Sequence, residues 1–204
     1  MFKEAIRYLK TAFMLLLVLS IVTGILYPLS VTALAQYFFP DKAQGSIILK
    51  EGKAIGSLFI GQSFSTPNYF WGRPSATSPY PYKGDASSGS NSGPTNPEFL
   101  KTVKDRIEQL QQSDPLNHDL IPVDLVTASG SGLDPEISPL AAWYQAPRVA
   151  RERHLSLEAV QTLIQEHTQA RLLGFLGEPR VNVLQLNGAL DNLRTEHGRP
   201  ASGS

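Results

Sequence analysis

The sequence predicts an α+β domain that follows a single N-terminal transmembrane helix. Three observations predict it. No charged residue occurs from Thr11 to Pro40. Beyond that run, stretches of helical period are mixed with short apolar runs. These do not alternate strand–helix–strand as a parallel sheet requires, and no internal repeat recurs.

The apolar run comes first. Ala12–Ala35 as a helix would cover roughly 36 Å, against a hydrocarbon core of about 30 Å. Lys3, Arg7 and Lys10 precede it with one acid, Glu4, whereas Asp41 and Lys42 after it cancel. That bias puts the N-terminus in the cytoplasm and the rest outside. Tyr27, Tyr37, Phe38 and Phe39 then fall near the outer interface, where aromatic rings settle. Ala33-Leu34-Ala35 has the small-x-small form of a signal-peptide cleavage site, the competing reading. The run exceeds the usual h-region of ~7–15 residues, which favours a retained anchor. The span carries no ionisable residue, so this helix alone offers no ion pathway. Ser20 and Gly24 form one small-xxx-small pair, which permits close approach of another helix. The expected division is residues 1–10 in the cytoplasm, 11–35 in the membrane, and 36–196 as the extracytoplasmic domain.

Within that domain, Ser46–Lys50 and Lys53–Ile60 flank Glu51-Gly52 and read as a β-hairpin close to the membrane. Residues 63–97 are rich in Pro, Gly and Ser and have no hydrophobic period. Yet Tyr69, Phe70, Trp71, Tyr80 and Tyr82 make them too aromatic for a disordered linker. They are expected to form an ordered, irregular loop packed on the domain or on a partner. Asn96-Pro97 opens a helix carrying Phe99, Leu100, Val103, Ile107 and Leu110 on one face, which Pro115 ends. Val123–Ala128 reads as a short buried strand. Ser138-Pro139 caps a helix expected to end before Pro147. Ser156 caps the next, and Asn182 with Gln185 has capping-box form ahead of Val183, Leu186, Leu190 and Leu193. A polar, frayed tail is expected over 197–204.

Composition excludes several functions. Lys and Arg number 18 against 18 Asp and Glu, with no basic block, so a general nucleic-acid binder is excluded. With no cysteine there is no disulfide, thiol nucleophile or Cys-ligated zinc. No P-loop occurs, and the four histidines never pair at i, i+4, so a zinc site is not expected.

Some motifs carry candidate chemistry. Ser129-Gly130-Ser131-Gly132 resembles a nucleophile turn, but an elbow needs Gly two residues either side of the Ser, and position 129 is Ser. It also reads as a tight turn whose serines satisfy loose amides, or as an anion-binding nest. Arg73 beside Pro74 and Arg148 beside Pro147 each present a guanidinium on a pinned backbone. They read equally as anchors for a partner or ligand and as ties between the loop and the helices.

Six segments in order resemble the C subunit of the Kdp potassium-transporting ATPase. They are Gly56-Ser57-x-x-Ile60-Gly61-Gln62-x-Phe64, Tyr69-Phe70-x-Gly72-Arg73-Pro74-Ser75-Ala76 and Ser88-Gly89-Ser90-Asn91. Val123-x-Leu125-Val126-Thr127-Ala128-Ser129-x-Ser131-Gly132-Leu133-Asp134, Gln145-x-Pro147-Arg148-Val149-Ala150 and Val181-Asn182-Val183-x-x-Leu186-Asn187-x-x-Leu190-Asp191 follow. The resemblance implies a non-hydrolytic accessory subunit of a bacterial inner-membrane complex that imports potassium at the expense of ATP. Its implied partners are a channel-like potassium-translocating subunit, a P-type ATPase subunit and a small single-span subunit, within the lipid bilayer. The absence of Asp-Lys-Thr-Gly-Thr, the phosphorylation motif of P-type pumps, fits. The candidate contact residues are Arg73, Ser75, Asn91, Ser129, Ser131, Asp134, Gln145 and Arg148. The family is also described as a catalytic chaperone that raises the pump's ATP affinity, which implies a nucleotide contact at Gln145. Charge bias places Gln145 outside, away from cytosolic ATP, and favours a domain that caps the external mouth of the translocating subunit. The alternatives are a membrane-anchored periplasmic serine hydrolase using Ser129 or Ser131, and a free-standing binding module.

Overall fold

A computed structural model describes residues 2–50 and 52–197, with side chains through Leu193. The expected tail, apart from the backbone of His197, lies outside the described residues. The chain divides into two compact units that meet at Ile47 and Ile48.

The first unit is almost entirely one helical rod, Phe2–Phe38, with none of its most apolar stretch buried. It consists of α1 (Phe2–Ile21), a π-helical turn (Val22–Leu26) and α2 (Tyr27–Phe38). The π turn has a cause in the sequence. Pro28 has no N–H to give, and its ring crowds the carbonyl of residue i−4, which is Gly24. Widening the turn relieves that crowding, and Tyr27 N bonds back to Val22 O. Hydroxyls in the rod donate to carbonyls four residues back, as in Thr23 to Leu19 O at 2.7 Å and Ser30 to Leu26 O at 2.7 Å. Each of these bonds satisfies a hydroxyl within the helix itself. A short α3 (Pro40–Ala43) follows.

The second unit mixes helices and strands, as the sequence predicts. β1 (Ile47–Lys50) and β2 (Lys53–Ser57) form a two-stranded sheet, and Gly52 in the connection has φ +76°. No helix or strand occurs between Ser57 and Pro97. α4 (Pro97–Ser113) starts where expected, with the Asn96 side chain accepting from Glu98 N and Phe99 N.

Two elements differ from the expectation. Val123–Leu125 is a 3₁₀ turn, not a buried strand. Val123 is 69% exposed while Leu125 and Val126 are buried. Asp124 interrupts the apolar run, and its carboxylate accepts from Ser138 N at 2.7 Å, which holds the chain in a turn. The second concerns α5, which runs from Pro139 to Arg153 straight through Pro147. Pro147 removes the N–H that would reach Trp143 O. In the same turn, Asn117 Nδ2 donates to Tyr144 O at 2.9 Å. Burial outweighs the lost bond, because Tyr144, Ala146, Val149 and Ala150 in this stretch are all buried. The helix ends at His154, a left-handed residue with φ +56°.

α6 (Leu157–Glu166) is capped by Ser156, whose hydroxyl accepts from Ala159 N at 3.1 Å. α7 (Val183–His197) starts at Asn182, whose Oδ1 accepts from Gln185 N at 3.1 Å. A small antiparallel sheet has the order β3 (Glu136–Ile137), β5 (Arg180–Asn182), β4 (Thr168–Gln169). Ile137 faces Val181, and Val181 also faces Thr168. The core gathers Ile137 and Val181 with Val149, Val160, Ile164, Leu186 and Leu190. Phe70 joins it at 0% exposure, with Phe64 and Trp71 packed alongside. The irregular loop therefore packs on its own domain.

Candidate functional site

The candidate residues fall along two seams of the 63–97 loop. At the first seam, α5 places Gln145 and Arg148 one turn apart beneath the loop. Gln145 is 1% exposed, and its amide meets the backbone of Trp71 in both directions. Trp71 N donates to Gln145 Oε1 at 2.8 Å, and Gln145 Nε2 donates to Trp71 O at 3.1 Å. Asn187 on α7 treats Phe70 in the same way, with Phe70 N donating to Oδ1 and Nδ2 donating to Phe70 O, both at 2.9 Å. Two side-chain amides from different helices thus grip consecutive residues of the loop. They stand where a strand partner would, in a segment that has none.

Arg148 completes this grip. It is 2% exposed and donates to Pro67 O, to Tyr69 O at 3.1 Å and to Gln145 Oε1 at 2.8 Å. Its guanidinium lies 4.5 Å over the Trp71 ring. Among the described residues, no carboxylate lies within ion-pair distance of it. Burial pulls its pKa down to about 10, with the Asp114 charge the main opposing influence. Arg153 adds a donor to Asn68 O at 2.7 Å and an ion pair to Asp191 at 2.9 Å, while the Tyr69 hydroxyl donates to the same Asp191.

The second seam sets the loop against residues 126–136. Arg73 pairs with Asp134 at 3.1 Å and reaches Ala128 O. Ser75 donates to Gly132 O at 2.6 Å and accepts from Tyr82 N at 2.9 Å. The Ser129 hydroxyl accepts from Gly132 N at 2.9 Å, and that of Ser131 accepts from Leu133 N at 3.1 Å. Ser88 N donates to Ser131 O at 2.9 Å. The backbones meet so closely that a Cβ on Gly132, which also has φ +68°, would stand 2.5 Å from Ser88 O. Tyr82 donates its hydroxyl to Arg73 O. Burial and then the Asp134 charge push its phenol up to about 12, against the pull of Arg73 and Arg106.

Arg73, Ser75, Ser129, Ser131 and Asp134 are therefore brought together, and so are Gln145 and Arg148. Asn91 belongs to neither seam. It is exposed, with φ +50°. Sequence reasoning did not nominate Asn187, Arg153 or Asp191. Asn187 left a trace, as a polar residue between Leu186 and Leu190 on the buried stripe of its helix.

Between the seams lies a cleft of about 250 Å³. Trp71, Arg73, Tyr82 and Arg106 line it, with Ser63 and Ser65 at its wall.

The family model described as "KdpC: K+-transporting ATPase, c chain" matches residues 9–192. The chain belongs to this family. It is 59% identical over 189 residues to a "Potassium-transporting ATPase KdpC subunit" of Methylococcus capsulatus, covering 93% of this chain and 100% of the relative. A relative of the same description from Polynucleobacter asymbioticus is 60% identical over 177 residues, 87% of this chain and 94% of its own. One from Herpetosiphon aurantiacus is 55% identical over 188 residues, 92% and 97% respectively. The family match takes in the whole of both seams.

Proposed function

We propose that this chain is an accessory, non-hydrolytic subunit of an ATP-driven potassium-import complex. One helix anchors it in the bacterial inner membrane, and its domain faces outward. Its partners are a channel-like potassium-translocating subunit, a P-type ATPase subunit and a small single-span subunit. Potassium is the cargo of the complex. The family match over residues 9–192 carries this reading.

The geometry supports a supporting role for the domain. Gln145, Arg148 and Ser129 are buried, and each spends polar groups on neighbouring backbone. Gln145 has both ends of its amide bound to Trp71, and the Ser129 and Ser131 hydroxyls accept from neighbouring amides. A nucleotide reaching Gln145 would have to displace Trp71. A hydrolase would need one of those serines beside a base. On this reading Gln145 and Arg148 hold the loop, the loop shapes the domain surface, and that surface caps the external mouth of the translocating subunit. The test is extraction in mild detergent followed by mass spectrometry of co-purifying chains. Two large membrane proteins, a channel-like one and a P-type ATPase, are expected. Recovery of the chain alone from cells that express those proteins would overturn the proposal.

A further inference from the structure

The 250 Å³ cleft beside Trp71 has an unbalanced charge. No Asp or Glu lines it, whereas Arg73 and Arg106 both do. The two cations differ in what they already hold. Arg73 has its carboxylate, Asp134 at 3.1 Å. Arg106 has only a hydrogen bond to Val126 O at 3.0 Å, and among the described residues no carboxylate lies within ion-pair distance of it. Burial pulls its pKa down, against a smaller opposing pull from Tyr82. Arg73 Nε is enclosed with no hydrogen-bond partner among the described residues. Just behind the cleft, Arg148 stacks on Trp71, a further buried cation without a carboxylate.

The donors that remain point to the ligand. Tyr82 and Ser75 have committed their hydroxyl protons to Arg73 O and Gly132 O. Arg106 keeps further N–H groups, and Ser63, Ser65 and Gln109 add neutral donors at the wall. Phe64, Trp71, Pro81, Leu110 and Leu125 supply apolar surface. One unmatched guanidinium with apolar walls suits a singly charged planar anion on an apolar stem. Arg148 lies outside the cleft lining with its N–H groups given to Pro67 O, Tyr69 O and Gln145 Oε1, so the second charge of a phosphate dianion would meet no further unpaired cation in the cleft.

We propose that this cleft binds a carboxylate group, with Arg106 as the paired cation and Trp71 against its stem. The carboxylate belongs either to a free small acid or to an acidic side chain of a neighbouring subunit. The site does not depend on the assembly reading, because all its residues lie in this chain.

Trp71 and Trp143 are the two tryptophans, so Trp143→Phe leaves Trp71 as sole reporter. The experiment titrates the full chain in mild detergent, at constant ionic strength, with acetate, phenylacetate and inorganic phosphate, following Trp71 emission. A saturable change is expected with both carboxylates, phenylacetate the tighter, and none with phosphate. Arg106→Gln is expected to weaken phenylacetate about tenfold or more, as loss of a charge-assisted contact does, while Arg106→Lys retains most of the binding. Thermal unfolding of each variant shows that the domain is intact. No saturable response to either carboxylate overturns the proposal, as does a response that Arg106→Gln leaves unchanged or one that phosphate matches. The same titration on the assembled complex separates the sources. Retained binding indicates a free acid, and loss of binding that appears in the isolated chain indicates a subunit side chain already in the cleft.

Discussion

Replacing Gln145 with Ala separates a structural clamp from a nucleotide contact. The substitution removes the acceptor for Trp71 N at 2.8 Å, the donor to Trp71 O at 3.1 Å and the acceptor for Arg148 Nη2 at 2.8 Å. It leaves two backbone groups and one guanidinium N–H without these partners. Each buried group left unpaired costs roughly 1–3 kcal/mol. Partial relaxation and entry of water reduce the sum, so about 4 kcal/mol is expected for the variant. In a domain of this size that lowers Tm by roughly 8–16 °C. The assay is thermal unfolding of the full chain in mild detergent, followed by near-ultraviolet circular dichroism, with and without ATP. The loss is expected to be the same in both, and proteolysis within residues 63–97 is expected to accelerate. A Gln145→Ala protein as stable as the parent, within about 0.5 kcal/mol, would refute the clamp.

Asn187→Ala removes the equivalent pair from Phe70 and is expected to cost about the same, roughly 2–5 kcal/mol, by the same unfolding assay. Gly132→Ala combines a positive φ with a Cβ against Ser88 O and is expected to cost about 2 kcal/mol or more in denaturant unfolding. Gly130→Ala, with open space at its Cβ, is expected to change stability by less than about 0.5 kcal/mol. The Tyr82 phenol titrates near 10 when unfolded and about 12 when folded. Its contribution is therefore full below pH 10 and is lost as pH rises through 12, by at most about 3 kcal/mol. Arg148 shifts in the opposite direction over a similar window, so the difference between the parent and Tyr82→Phe isolates the phenol. Stability of the parent falling relative to Tyr82→Phe above pH 10 is the expected result.

The helices were legible in the sequence because their signals are local. Asn96, Ser138, Ser156 and Asn182 all cap where the side-chain chemistry says they should. The two misread elements failed where a distant contact decided. Pro147 reads as a helix stop, and only the burial on both sides of it keeps α5 going. Val123–Ala128 reads as a strand by apolarity, and only the bond from Ser138 N to Asp124 shows it to be a turn. The site was half legible. Arg73, Gln145 and Arg148 stood out by residue type and by resemblance, but their direction did not, since partners 61 to 81 residues away fix it. Asn187 was missed because a lone Asn in an apolar stripe gives no spacing pattern to read.

The account rests on which side of the membrane the domain occupies. The chain has no cysteine, so a single Glu158→Cys on the exposed surface of α6 is a unique label site. The measurement is its reaction with a membrane-impermeant maleimide in cells whose inner membrane is sealed. Labelling in sealed cells, no greater after the membrane is opened, is the predicted result. Labelling that appears only once the inner membrane is broken would place the domain with cytosolic ATP and contradict the account.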